Sequence, residues 1–104
     1  MIYFTMPETK VVDEIHKIPD KRGNGVLRRE VWVDAATGKV TRYNLAYINH
    51  RLFAGDNGRV VGYDNAHRGH HRHYFGHIEA IDFAGLEDVE ARFARDWTAL
   101  RDRK

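Results

Sequence analysis

Near the end of the chain, Leu86, Val89, Phe93, Trp97 and Leu100 recur at steps of three and four residues. That period belongs to an α-helix with a single apolar stripe, and such a stripe has to be buried against another layer. Glu87, Asp88 and Glu90 crowd the first turn, and Arg101, Arg103 and Lys104 crowd the last. Both placements suit the helix dipole. Gly85 is the expected N-cap, a weaker one than Ser or Asp. Upstream of the helix the chain offers mainly short runs of β-branched and aromatic residues, broken by Gly, Asn and Pro. Runs of that kind are strands. One striped helix and several strands predict an α+β fold: an antiparallel meander covered by the C-terminal helix.

The strand readings follow from local chemistry. Met1 to Met6 is a short strand that Pro7 ends. Between 8 and 18, Val11, Val12, Ile15 and Ile18 are spaced for a helix face but are β-branched, so helix and strand both stay open. Lys21-Arg22-Gly23-Asn24-Gly25 is a turn, because Asn and Gly accept positive φ. Val26 to Asp34 is a strand with Leu27, Arg29, Val31 and Val33 on one face and Arg28, Glu30 and Trp32 on the other. Thr37-Gly38-Lys39 turns into a strand from Val40 to His50. There Tyr43, Leu45 and Tyr47 share one side, Ala46 and Ile48 the other. Gly55-Asp56-Asn57-Gly58 is a strong turn, Arg59 to Asp64 the next strand, and His71 to Phe83 the last.

At 104 residues this is one domain, long enough to bury a core without staples. The chain has no cysteine, which excludes a disulfide scaffold and thiolate metal sites. No apolar run approaches a membrane span. The first six residues are too short, and lack the basic flank, for a signal peptide. A cytoplasmic protein with no membrane partner is expected. The formal charge is only +2, which permits nucleic acid only if the cations share one face.

Chemistry concentrates elsewhere. Five of the seven histidines, His67, His70, His71, His73 and His77, lie within eleven residues, interleaved with Arg68 and Arg72. Imidazole titrates near neutral pH unaided. On a strand, His71, His73 and His77 would share a face with Phe75, while Arg72 and Tyr74 would turn to the other. Pairing with the preceding strand would bring Tyr63, Asp64, His71 and His73 within reach of one another. Acid–base cleavage of RNA needs a base, an acid and cations on the phosphate. His71 and His73 supply the first two. Arg72 and Arg68 supply guanidinium forks that match phosphate, and Asp64 orients an imidazole. Tyr63 and Tyr74 offer stacking surfaces, and Asn65, His67 and His70 complete the substrate-binding set. A metal site is a second reading of the same histidines, but nearby carboxylates are sparse and the expectation is a reaction without metal or cofactor. A solvated loop whose Asp64 and Asn65 merely form a turn is the third.

The run Gly62-Tyr63-Asp64-Asn65, a short basic loop, His71-Arg72-His73-Tyr74, and a Phe83-led approach to a helix bearing Phe93 together resemble the TumE-type toxins of bacterial toxin–antitoxin systems. In that family a strand ending in Tyr-Asp-Asn precedes His-Arg-His and a C-terminal helix. The resemblance covers roughly Arg59 to Leu100, and segment 7–24 lies outside it. It implies a small cytoplasmic toxin neutralised by a cognate antitoxin protein. A metal-independent endoribonuclease, with RNA as second partner, is the inference from the residues; a homodimer stays open. The alternative is a non-enzymatic module whose His/Arg loop binds nucleic acid, metal or protein. An enzyme should gather Asp64, His71 and His73 around one concave site, whereas a binding module should splay them over a flat face. A regular ladder through His71, Arg72 and His73, with Arg72 against an acid, would make that arginine scaffold.

Overall fold

The computed structural model describes residues 7–66 and 68–101. The strand read at residues 1–6, His67, and Arg103 and Lys104, expected in the helix's last turn, lie outside the described residues. Six strands follow one another in chain order: β1 (Glu8–Ile18), β2 (Gly25–Asp34), β3 (Val40–Ile48), β4 (Arg59–Asp64), β5 (His71–Tyr74) and β6 (His77–Ala80). Each pairs antiparallel with the next, in the order β1-β2-β3-β4-β5-β6. The described residues hold a single α-helix, α1 (Leu86–Arg101), which follows the last strand. This is the meander-plus-helix expected from the pattern. No described helix is long and apolar enough to cross a membrane.

The helix lies over β3 and β4. Val89, Phe93 and Leu100 are buried there with Leu45, Tyr47, Val60, Val61 and Tyr63. Burying each such aliphatic or aromatic side chain contributes about 1.5–3 kcal/mol. Gly85, at φ +104, accepts the first helical bond from the Val89 amide, as an N-cap does. The opposite face of the sheet carries no covering layer among the described residues. Arg29 on β2 reaches Glu90 of the helix, so Arg28 and Glu30 point to the uncovered side.

Two local readings need comment. Residues 8–18, left open between helix and strand, form β1, held to β2 along its length despite a bulge between Lys10 and Val12. β1 is exposed along most of its length, so the apolar spacing at Val11 and Ile15 marks no helix face. The stretch His71 to Phe83, expected as one strand, is two. Phe75 and Gly76 both take positive φ, 47° and 82°, and turn β5 back on itself as β6, as a two-residue hairpin loop requires. His77 therefore pairs with Tyr74 and leaves the face that carries His71 and His73.

Candidate functional site on the uncovered sheet face

The β4–β5 ladder is regular: Val61 lies opposite Tyr74, Gly62 opposite His73, Tyr63 opposite Arg72 and Asp64 opposite His71. Alternation then sorts the candidate residues in two. Asp64, His71 and His73 share the uncovered face. Tyr63, Arg72 and Tyr74 point to the helix side. The expected grouping of Tyr63 with Asp64 and the histidines does not form, because neighbours along a strand face opposite ways.

On the uncovered face Arg59 is the hub. Its Nε donates to Asp56 Oδ2 at 2.8 Å, and its Nη1 donates to Asp64 Oδ2 at 3.3 Å. Its Nη2 lies 3.1 Å from Nδ1 of His73. Since a guanidinium only donates, Nδ1 accepts, and the ring is the neutral tautomer with its proton on Nε2. That Nε2 lies 3.0 Å from Asp64 Oδ2, yet off the line a hydrogen bond requires, so the buried N–H has no aligned partner. The side chains of His73 and Asp64 are only 12% and 14% exposed. Burial, and then the Arg59 charge, push the His73 pKa below its usual value, while Asp64 and Asp56 pull the other way. The second oxygen of Asp64 accepts the Ala66 amide at 3.2 Å. His71 is half-buried at the start of β5, between Asp64 on β4 and Ala80 on β6.

Gly62 makes room for this arrangement. A Cβ there would lie 2.7 Å from Arg59 Cδ and 2.8 Å from the Leu45 carbonyl oxygen, so any side chain would displace the arginine from the strand. Beside Gly62 runs a trough of about 370 Å³, lined by Arg28, Asn44, Ala46, Ile48, Asp56, Asn57 and Arg59. Arg28 stands on one bank and Arg59 on the other, with Ala46 between them. Arg28 is held by Asp13 at 3.2 Å and by Glu30 at 3.1 Å. Arg28, Lys10 and Asn44 all donate to Glu30 and depress its pKa to about 2.

The helix side is a closed network. The Tyr63 hydroxyl donates to Asp96 Oδ2 at 2.6 Å, and Arg72 Nε donates to the same oxygen at 2.9 Å and to the hydroxyl at 3.1 Å. Arg72 also pairs with Glu79 at 3.1 Å and lies over the Tyr74 ring at 4.3 Å. Burial opposes the Arg72 charge, but Asp96 and Tyr63 outweigh it and its pKa is raised. Burial and then Asp96 push Tyr63 up to about 12. His70 belongs to this side too: Nδ1 lies 2.8 Å from the Tyr43 hydroxyl, and its ring stacks on Phe83 with centroids 3.9 Å apart. Burial, then the neighbouring His71, lower its pKa.

Asn65 extends the sheet. Its side chain accepts the Tyr43 amide and donates to the Thr41 carbonyl, each at 3.0 Å, replacing the next rung of the β3–β4 ladder. Arg68 is exposed, at φ 65° on the loop. His67 lies outside the described residues. Arg59, Arg28, Glu30 and Asn44 were not singled out from the sequence. Their contacts run from β1 to β5, and only the placing of Arg59 five residues before Asp64, with Gly62 between, hints at them. A second hollow, of about 230 Å³, has walls that include Leu27, Leu45, Phe93, Ala94 and Trp97, and none of the expected site residues lines it. Among the described residues no group of three or more His, Cys, Asp or Glu side chains is placed to hold a metal ion.

The sequence model of one protein family, described as toxin TumE, matches residues 11–103. That span takes in β1 and β2 as well as the Tyr-Asp-Asn and His-Arg-His ladder. No curated protein and no solved structure matches the chain.

Proposed function

Because the chain belongs to the TumE toxin family, we propose that it is the toxin of a toxin–antitoxin pair, silenced by a cognate antitoxin protein, and that it cuts RNA on the uncovered face of its sheet. The observation that carries this reading is the presentation of Asp64, His71 and His73 together on one face, beside a trough banked by Arg28 and Arg59. His73 is the base, through the Nδ1 lone pair that its neutral ring turns to Arg59 in the resting site. It takes the proton of a ribose 2′-hydroxyl. The freed oxygen bonds to the adjacent phosphorus, the bond from phosphorus to the 5′-oxygen breaks, and His71 gives that oxygen a proton. The products are a 2′,3′-cyclic phosphate and a 5′-hydroxyl end. Asp64 orients His73. Arg59 and Arg28 meet the phosphate, with Arg68 reaching in from the loop, because guanidinium forks match phosphate oxygens. Arg72, turned toward Asp96, holds Tyr63 and the helix in register and acts on the site only through the ladder. Asn65 and His70 serve the site by holding the strand ends, and Tyr74 stacks against Arg72 on the helix side.

One observation favours a second reading, a protein-contact face without catalysis. Both arginines of the trough are already paired with two carboxylates each, which weakens the attraction for RNA phosphate.

Expression with and without the antitoxin separates the two. The wild-type chain alone should arrest growth and fragment RNA. His71→Ala and His73→Ala should each lower cleavage by about 10²–10⁴-fold while keeping the circular dichroism of the fold. Growth arrest with intact RNA would leave only the binding reading, and cleavage that EDTA abolishes and zinc restores would return the metal reading.

A further inference from the structure

We propose that Arg59 is a latch on His73: a phosphate entering the trough draws its guanidinium away, uncovering the lone pair on Nδ1 and leaving Asp64 Oδ2 to Nε2. This deepens the ribonuclease reading and rests on it for the identity of the phosphate, though not for the movement itself.

Three features of the site converge on it. First, the lone pair a base would use is occupied, because Nη2 of Arg59 lies 3.1 Å from Nδ1. Second, the opposite nitrogen is buried without an aligned partner, although a carboxylate oxygen stands 3.0 Å away. Buried polar groups are rarely left in that condition, and an N–H this close to an acceptor is one small rotation from a hydrogen bond. Third, the oxygen that Nε2 lacks, Asp64 Oδ2, is the one Arg59 Nη1 holds at 3.3 Å. One side chain therefore occupies Nδ1 and also draws on the oxygen that faces Nε2. Its departure would turn a silent ring into a carboxylate-oriented base of the kind acid–base sites use.

Arg59 also has the freedom and the incentive to move. It is a trough-lining residue and lies along the bare backbone of Gly62 with no Cβ in its way. The competing ligand is a phosphate, whose oxygens meet the guanidinium fork in charge-assisted pairs. Among the described residues the charged groups facing His73 are Arg59 and Asp64 from β4 and Asp56 from the preceding turn. On β6 its partner is Ile78, which has no charge, and on its own strand His71 is two residues away. Burial favours the neutral ring first and the Arg59 charge second; losing the Arg59 contact removes the second of these and leaves two carboxylates, so the His73 titration should move up in pH. The base would then be armed only where a phosphate is already bound.

The test is ¹⁵N-resolved NMR of the histidine rings in the full chain, with inorganic phosphate as the probe. In the wild-type chain, phosphate should remove the hydrogen-bonded signature of Nδ1, shift the Nε2 proton to a strongly bonded position, and raise the His73 titration midpoint. Arg59→Ala should show all three without phosphate, and phosphate should then add little. Asp64→Ala should leave Nε2 without that bond both with and without phosphate. A wild-type ring that phosphate leaves unchanged overturns the latch, as does an equal response in wild type and Arg59→Ala, since the anion would then act on the ring directly. Should Arg59→Ala not fold, Arg59→Lys serves: one ammonium cannot span Asp56, Asp64 and Nδ1 at once, and an Nδ1 signature that stays bonded overturns the proposal. No RNA enters this measurement. A ring that phosphate moves while RNA stays intact sinks the ribonuclease reading alone. Cleavage lost in His73→Ala with a ring that phosphate leaves unmoved sinks the latch alone.

Discussion

The two sides of the β4–β5 ladder are built from adjacent residues and are wired in opposite ways. On the helix side Tyr63, Arg72, Asp96 and Glu79 form a network in which short bonds connect every member. On the uncovered side Arg59, Asp64 and His73 crowd together, yet one buried N–H is left unaligned. A satisfied network rigidifies a fold; a crowded and partly unsatisfied one stores the capacity to rearrange. The contrast teaches that a motif written as one block, His71-Arg72-His73, is shared between structure and chemistry residue by residue.

Three substitutions or conditions test how sharp that division is. The largest effect should come from the helix side. Phe93, buried against the sheet and edge-on to Tyr63, should destabilise the chain by about 3–5 kcal/mol as Phe93→Ala, from lost burial and the cavity left behind. Denaturant unfolding should show His71→Ala on the other side changing stability by only about 0.5 kcal/mol, as surface changes do. Similar losses for both would break the comparison.

Next is Asp96→Ala. It strands the Tyr63 hydroxyl and the Arg72 charge together, which should cost about 2–3 kcal/mol. It should also lower the Tyr63 titration from about 12, because Asp96 reinforces what burial raises; absorbance of the tyrosinate band checks this. An unmoved titration with full stability would show that the network on the helix side holds nothing.

Apart from the His71→Ala control, the smallest effect belongs to the uncovered face at acid pH. Glu30 is held near 2, against an ordinary value of 4.5. A depressed carboxylate pKa adds stability that is complete above the ordinary value and is lost as protons bind on the way down. Stability should therefore fall between pH 4.5 and pH 2. Glu30→Gln should flatten that fall by about 1 kcal/mol, the scale of a partly screened surface network. A pH profile unchanged by the substitution would remove Glu30 from the account.

The pattern of the chain determined the class of fold, the single covering helix and the strand Arg59–Asp64, because period and turn chemistry are local properties. Leu86 to Leu100 repeats at helical spacing whatever it packs on. Alternation also foretold that Arg72 would turn from the histidines. It could not show what awaited Arg72 there, since Asp96 lies twenty-four residues on. The hairpin at Phe75 and Gly76 was missed because Phe rarely takes positive φ, and only the pairing of β6 on β5 holds it there. The candidate site divides the same way. Its histidines and Asp64 were legible as a dense cluster, and the family resemblance pointed to the same stretch. Arg59, Arg28 and the trough were not, because the contacts that define them run from β1 to β5. Strand register brings those residues together, and register is decided by which faces the whole sheet can bury. The sequence by itself named the imidazoles; the tertiary structure decided which of them face the same side, and that one arginine holds both an imidazole and its neighbouring carboxylate.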